Sequence, residues 1–442
     1  MRRWGVVVLL AIMLLVLWVP LAGAQSPDKP AFAARGPYVV GVREFVIEDA
    51  ERPLSVTVWY PALNPSSAPE TTVYLPDLFP IAGQAIADAP PDVGGGPYPL
   101  VIFSHGFGGF RYQSTYLTEH LASYGFVVMS ADHPGSTILD LLGDEVSLDE
   151  VRQIVTGSDS QSELLGQLMA RGRAERGAEL MAVSLALRPL DVLREIEFAE
   201  TLTAPDGALA GAIDLERIAV SGHSFGGYTA VAAGGAQLDL RGLGDWCVNP
   251  QGVSFDPERR IAFRPEPLAT GDALTVCLAR LVARDVAQLR GLAQPPAGLW
   301  PPTSDPRIRA VLVLAPWNAP IFGPEGLASL EVPLMVQVGS ADSTTPPERD
   351  AYLIYTAASS ANKALVVLQG AGHLVFANQG FGVTDRAWDM DEAHDLINHF
   401  AAAFLRAVLY QDEPAQAALL PAVASRFEGV LYDRAMPRLA GD

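Results

Sequence analysis

A serine framed by glycines, Gly222-His223-Ser224-Phe225-Gly226-Gly227, carries the clearest chemical content of this chain. The preceding run, Arg217-Ile218-Ala219-Val220-Ser221, reads as a short buried strand. The following run, Tyr228 to Ala233, is small and apolar, suited to a helix packed on a sheet. A serine on such a turn is held in a strained backbone conformation with its hydroxyl aimed outward. The glycines two before and two after it let neighbouring backbone pass without Cβ clashes. A bare Gly-x-Ser-x-Gly also occurs in ordinary loops; the strand, the helix and the doubled glycine set this one apart. The chemistry it suits is nucleophilic attack by Ser224 on an acyl carbon.

Such a serine needs a base and an acid, which follow a nucleophile elbow in the order acid, then histidine. Three apolar runs come after it: Ile308 to Leu314, Val332 to Val338 and Ala364 to Leu368. The second ends in Gly339-Ser340-Ala341-Asp342 and the third in Gly370-Ala371-Gly372-His373. Asp342 and His373 therefore fall in loops past the carboxyl ends of consecutive strands, the edge of an open parallel sheet where ligands bind. His373 is expected to take the Ser224 proton and return it to the leaving group, while Asp342 holds the imidazole tautomer. Glu348 and Asp350 lie nearby and are read as opening the next helix, where carboxylates favour the amino-terminal dipole.

The chain has seven histidines. His120, His394 and His399 fall on predicted helices as surface or packing residues. His133 follows a strand and either lines the site or orders its loop. His223 is expected to project away from Ser224 and brace the elbow. Donors for an oxyanion are sought after the strand Leu100-Val101-Ile102-Phe103, which runs into Ser104-His105-Gly106-Phe107-Gly108-Gly109. The backbone N–H groups of Phe107 and Phe225 are the expected pair. Each such donor contributes on the order of 3 kcal/mol to a transition state.

With these residues in view, the chain resembles the dienelactone-hydrolase-related and platelet-activating-factor acetylhydrolase-like serine esterases of the α/β-hydrolase fold. Phe103-Ser104-His105-Gly106 with Phe110-Arg111, the Gly-His-Ser-Phe-Gly-Gly elbow, and Arg188-Pro189-Leu190-Asp191, read as opening the preceding helix, carry the likeness over about residues 37 to 410. The acetylhydrolase variant has its acid in a Leu-Asp-x-Trp setting after the strand beside the elbow. Here that stretch is Leu314-Ala315-Pro316-Trp317, with Ala315 at the acid position. The resemblance thus implies ester hydrolysis with the acid supplied by Asp342, and weakens any transfer of phospholipid specificity. The segment from Ala315 to His373 also resembles bacterial cutinases and polyester hydrolases, in which a tryptophan flanks the acyl cleft. Trp317 is either such a wall or a core residue. The His-Gly-Phe-Gly turn does not match that second family.

Arg2 and Arg3 precede an apolar stretch from Trp4 to Val19, then Pro20 and Ala22-Gly23-Ala24. This pattern is expected to be a signal peptide, residues 1–24, cut before Gln25, giving a secreted or periplasmic protein without a stable membrane anchor. Its removal changes the formal charge from −20 to −22, since two arginines leave. The acidic balance argues against nucleic acid as a partner. The remaining 25–442 read as one domain: a doubly wound, mostly parallel α/β sheet with helices between strands. Strands are expected near Val56–Tyr60, Leu100–Phe103, Phe126–Ser130 and Ile218–Ser221, besides the three after the elbow. Insertions at about 61–97, 136–187 and 236–305 are placed to form pocket walls or a lid.

The only cysteines, Cys247 and Cys277, lie in the last insertion and are expected to pair. The acidic run Asp385, Asp389, Asp391 and Glu392 is read as charge at the start of a helix from about Asp391 to Leu409 rather than as a calcium site. No metal or cofactor is expected. The composite expectation is a secreted serine ester hydrolase using Ser224, Asp342 and His373 on a small-molecule or polymeric ester. A non-catalytic binding protein on a hydrolase scaffold is the alternative of another class.

Overall fold

Strands with helices on both faces must bury every residue, and the runs Tyr98–Ser104, Val127–Ala131 and Leu334–Gly339 are buried along their whole length. In the computed structural model, residues 29–76, 80–143, 159–254, 264–268, 276–379, 385 and 387–435 are described, with the side chains of 159–174, 264 and 266 left aside. The expected signal peptide lies outside them. The main sheet has ten strands: β1 (Val39–Ile47), β2 (Leu54–Ala62), β3 (Ile86–Ala87), β4 (Tyr98–Ser104), β5 (Val127–Ala131), β6 (Ile213–His223), β7 (Ile308–Leu314), β8 (Leu334–Gly339), β9 (Lys363–Leu368) and β10 (Val430–Ala435). Their spatial order is β10-β9-β8-β7-β6-β4-β5-β2-β1-β3.

The strands β5, β4, β6, β7, β8 and β9 pair in parallel. Antiparallel β2 and β1 extend one side and antiparallel β10 the other. From β4 the chain moves outward to β5 and then crosses back to β6 on the opposite side. That reversal opens a crevice at the carboxyl ends of β4 and β6, where such sheets bind ligands.

Helices α1 (Thr115–Ser123), α2 (Ile138–Leu142), α3 (Asp159–Thr203), α4 (Phe225–Ala233), α5 (Leu240–Trp246), α6 (Ala283–Leu289), α7 (Gly323–Leu327), α8 (Ala351–Ala357) and α9 (Met390–Leu405) complete the frame. Side chains of α3, α4 and α8 build the apolar core on one face, and those of α1 and α9 build it on the other. Helix α9 begins where the acidic run stands. Asp389 accepts the N–H groups of Asp391 and Glu392 as its N-cap.

Several local expectations shift. Arg188-Pro189-Leu190-Asp191 does not open a helix; it lies inside α3. Proline there leaves the Leu185 carbonyl without its helical N–H, and the Tyr228 hydroxyl donates to that carbonyl at 2.8 Å instead. Strands β1, β3 and β10 join the sheet beyond the expected ones, because their half-exposed residues lack the continuous apolar run of a central strand. The 61–97 insertion has secondary structure of its own. It holds a hairpin of Thr72–Tyr74 with Ile81–Gly83, and buried Tyr74 donates to Glu119 at 2.6 Å.

Cys247 and Cys277 are bonded, their Cα atoms 5.9 Å apart. They tie the end of α5 to a 3₁₀ turn, Leu278–Arg280. Between them a hairpin of Gln251–Ser254 and Arg264–Pro267 reaches the loop before α8, where the Val253 N–H donates to the Glu348 carbonyl at 2.7 Å. With a sequence separation of 30, the bond stabilises the fold by about 3.5 kcal/mol in the chain-entropy account. Replacing both cysteines by serine should therefore lower the urea midpoint measurably while leaving the far-ultraviolet circular dichroism spectrum unchanged; an unaltered midpoint would show the bond to be structurally idle.

Candidate active site

Strand β6 ends at His223 and α4 begins at Phe225, so Ser224 alone makes the turn, with φ 57° and ψ −117°. That backbone is costly for a residue with a Cβ and persists only under tight surroundings. Those surroundings are visible. The Ser224 N–H donates to the Leu314 carbonyl at 2.9 Å, and the Trp317 N–H donates to the Ser224 carbonyl at 3.0 Å. A Cβ at Gly226 would sit 1.8 Å from the Ser104 carbonyl oxygen, and one at Gly222 would sit 2.3 Å from the Gly226 oxygen. Glycine is therefore obligatory on both sides, and it lets α4 press against the end of β4.

Asp342 follows β8 and His373 follows β9. His373 Nδ1 lies 2.7 Å from Asp342 Oδ2. The second Asp342 oxygen accepts the Thr344 and Thr345 N–H groups, both at 2.8 Å. The Thr345 hydroxyl donates to Asp342 Oδ2 at 2.7 Å. Burial works to raise the Asp342 carboxyl, but the hydrogen bond and charge of His373, with the Thr345 bonds, outweigh it and hold the group below its ordinary value. Asp342 is thus a fixed carboxylate that orients one imidazole nitrogen. Asp350, just before α8, is paired with Arg349 and accepts the Ala319 N–H at 2.9 Å, which anchors the loop after β7.

The elbow and the histidine loop meet through His223. Its ring centroid is 4.6 Å from that of His373, and its Nε2 lies 3.1 Å from the His373 carbonyl oxygen. That Nε2 must carry the proton, so Nδ1 accepts from Gln113 Nε2 at 2.8 Å. Gln113 Oε1 in turn accepts the Gly106 N–H at 2.8 Å. One oriented chain of bonds therefore joins the β4 turn, the elbow and the backbone of His373. Among the described residues, no hydrogen bond joins Ser224 Oγ to His373 directly.

Among the described residues, neither the Phe107 nor the Phe225 N–H is taken by a protein acceptor. The peptide carrying the Phe107 N–H is held from behind: its Gly106 carbonyl accepts from His105 Nδ1 at 2.7 Å and from the Gly109 N–H at 3.0 Å. Ser224 sits against the same turn, its Cβ 3.3 Å from where a Gly106 Cβ would stand. The Phe225 ring stacks on half-buried Trp317, centroids 4.8 Å apart, with the Phe107 ring 5.8 Å away on its other contact. Trp317 thus belongs to an aromatic group beside the elbow.

Gln113 and Thr345 belong to none of the sequence motifs, and His105 belongs to the His-Gly turn without a role that the pattern itself assigns. For Thr345 a signal existed, since Asp342-Ser-Thr-Thr345 is a sequence suited to side-chain-to-backbone turn bonds. His133 orders its loop: its ring lies 2.9 Å from Ser104 Oγ and 3.0 Å from Asp191 Oδ2. Among the described residues, no group of three or more His, Cys, Asp or Glu is placed to hold a metal ion.

Six of the seven histidines are buried: His105, His120, His133, His223, His394 and His399. Burial holds His120, His133, His394 and His399 down to about 4 and His223 to about 3, with His105 also well below its ordinary value. These imidazoles stay neutral in the fold but protonate in the unfolded chain. Their contribution to stability is complete above about pH 6.5 and is lost as pH falls through that value toward 4. Glu119, Asp132, Glu195 and Asp350, whose carboxyls burial raises, act oppositely but are outnumbered. Urea midpoints should therefore drop between pH 7 and pH 5; a flat or rising midpoint would contradict the buried neutral histidines.

A doubly wound sheet with a strained serine between its central strand and helix, and an aspartate–histidine pair in the loops after two further parallel strands, has the architecture of the α/β-hydrolase fold. Residues 81–242 match the family model described as platelet-activating factor acetylhydrolase, isoform II. The bovine platelet-activating factor acetylhydrolase is 32% identical over 149 residues, 31% of this chain and 32% of that protein. The dog protein of the same name is 30% identical over 150 residues, 31% of this chain and 32% of its own length. The chicken protein is 23% identical over 244 residues, 47% of this chain and 58% of that relative. The matched stretch thus spans about a third of the mammalian relatives. Across it the chain is similar to the platelet-activating factor acetylhydrolases.

Proposed function

We propose that this protein is a serine hydrolase of carboxylic esters that works through an acyl-enzyme. One observation carries the reading: the Asp342–His373 pair at 2.7 Å lies beside the strained Ser224 turn, and the Phe107 and Phe225 amides near it have no protein acceptor among the described residues. His373 takes the Ser224 proton as Oγ bonds to the ester carbonyl carbon. The carbonyl oxygen, now negative, is met by the two amides. His373 then passes the proton to the departing alkoxide, and the C–O bond breaks. Water, deprotonated by the same imidazole, attacks the acyl-enzyme and releases the acid and Ser224.

The relatives' name points to an acetyl ester of a phospholipid as one substrate. Ala315 in place of an acid, and Trp317 stacked beside the elbow, favour a second reading in which aryl or polyester substrates lie against the aromatic group. Export is proposed as well; it is supported by the amino-terminal pattern and by a cystine, which persists in oxidising compartments. Amino-terminal sequencing of the secreted protein tests it, with Gln25 the expected first residue.

Ser224→Ala and His373→Ala should each lower kcat on an aryl acetate by on the order of 10⁴-fold or more, and the double variant by no more than either alone. Asp342→Asn should cost on the order of 10⁴-fold, because an amide no longer selects the tautomer. The wild-type protein, and not Ser224→Ala, should be labelled by a fluorophosphonate. A folded wild type that is neither labelled nor active would instead favour the binding-protein alternative. A series of aryl esters of increasing acyl length, run beside a polyester film, separates the substrate readings.

A further inference from the structure

Arg188 is fully buried and, among the described residues, touches no carboxylate. Its guanidinium is spent on three neutral oxygens. Nη2 donates to Ser104 Oγ at 2.8 Å and to the His105 carbonyl, and Nη1 donates to Ser136 Oγ at 3.0 Å. These acceptors bracket the turn that carries the Phe107 amide. Ser104 and His105 lead into it, and the Ser136 carbonyl accepts the Gly108 N–H at 2.8 Å just beyond it. The same guanidinium lies 5.1 Å above the Phe225 ring. Both residues offered as oxyanion donors are therefore referenced to one rigid fork.

The bonds behind the fork have a single consistent direction. Arg52 donates twice to Asp191, at 2.8 and 3.1 Å. Asp191, a carboxylate, accepts from His133 Nδ1, which leaves His133 Nε2 to accept the Ser104 hydroxyl proton. Ser104 Oγ then has its lone pairs free for Arg188. His105 fits the same scheme, since its Nδ1 donates to the Gly106 carbonyl and its Nε2 accepts the His133 N–H at 3.2 Å. Leaving so large a cation unpaired by a carboxylate is expensive. An apolar residue would fill the space more cheaply, so its presence calls for a role that only a planar, multiply donating group performs.

We infer that Arg188 is a positioning residue that sets the oxyanion turn in register with the Ser224 elbow. The inference rests on the ester-hydrolase reading. A lysine keeps the charge but loses the fork, and a methionine loses both.

The test compares Arg188→Lys, Arg188→Met and Ser136→Ala with wild type in the full chain, using an aryl acetate well below each melting temperature. Misaligned donors should lower kcat about 10- to 100-fold with KM changed less than about threefold, and lysine should retain more activity than methionine. Ser136→Ala, which removes one acceptor only, should lower kcat about threefold. A fall in melting temperature with kcat intact would make Arg188 merely structural and overturn the inference. If the Arg188 variants do not fold, an unchanged kcat in Ser136→Ala overturns it and a selective loss of kcat supports it. A wild type that neither hydrolyses the ester nor takes up a fluorophosphonate would bring down the hydrolase reading and this inference together. An active wild type with active Arg188→Met brings down this one alone.

Discussion

The contact on which the site depends is backbone against backbone: Gly226 at the start of α4 pressed on the Ser104 carbonyl at the end of β4. No side chain fits between them, and that closeness brings the elbow and the β4 turn to one point. From it follows the proximity of the Ser224 Cβ to Gly106, and beside it Ser224 takes its positive φ. A strained residue must be over-determined by its surroundings, and here two hydrogen bonds to the β7 edge, through Leu314 and Trp317, supply the constraint.

The remaining polar groups work as frames with fixed proton directions. One runs from Gly106 through Gln113 and His223 to the His373 carbonyl; another runs from Arg52 through Asp191, His133 and Ser104 to Arg188. Neither contains a histidine that can choose its tautomer freely. Neutral imidazoles at these depths make good ball-and-socket links, each donating on one side and accepting on the other. The cost is sensitivity to acid, since a second proton would set donor against donor.

Much of this was legible from residue order. Glycine spacing marked the elbow because only glycine admits the contact above. The order of the apolar runs marks Asp342 and His373, and both lie past consecutive parallel strands. The supporting residues were not legible, because their partners are remote in sequence. Arg188 reaches Ser104 across 84 positions, and Gln113 reaches His223 across 110. Pro189 misled for a local reason: proline marks helix openings, and only the Tyr228 hydroxyl, from another helix, lets it sit inside one. Strand β10 escaped notice because its side chains are half exposed and its pairing with β9 is supplied by the sheet, not by its own composition.

The hairpin held by Cys247 and Cys277 ends on the Glu348 carbonyl, six positions after Asp342 and three after Thr345. The family-matched segment, residues 81–242, contains the elbow, the β4 turn and Arg188, but stops short of this hairpin, the acid and the histidine. The stretch matched to the family model thus carries Ser224, and the stretch beyond it carries Asp342 and His373. The cystine staples only the second. Change can accumulate there, in the length of the hairpin or the wall beside Trp317, without disturbing the glycine contact that makes Ser224 usable. A scaffold divided this way can vary what surrounds the Ser224 turn while keeping the turn itself.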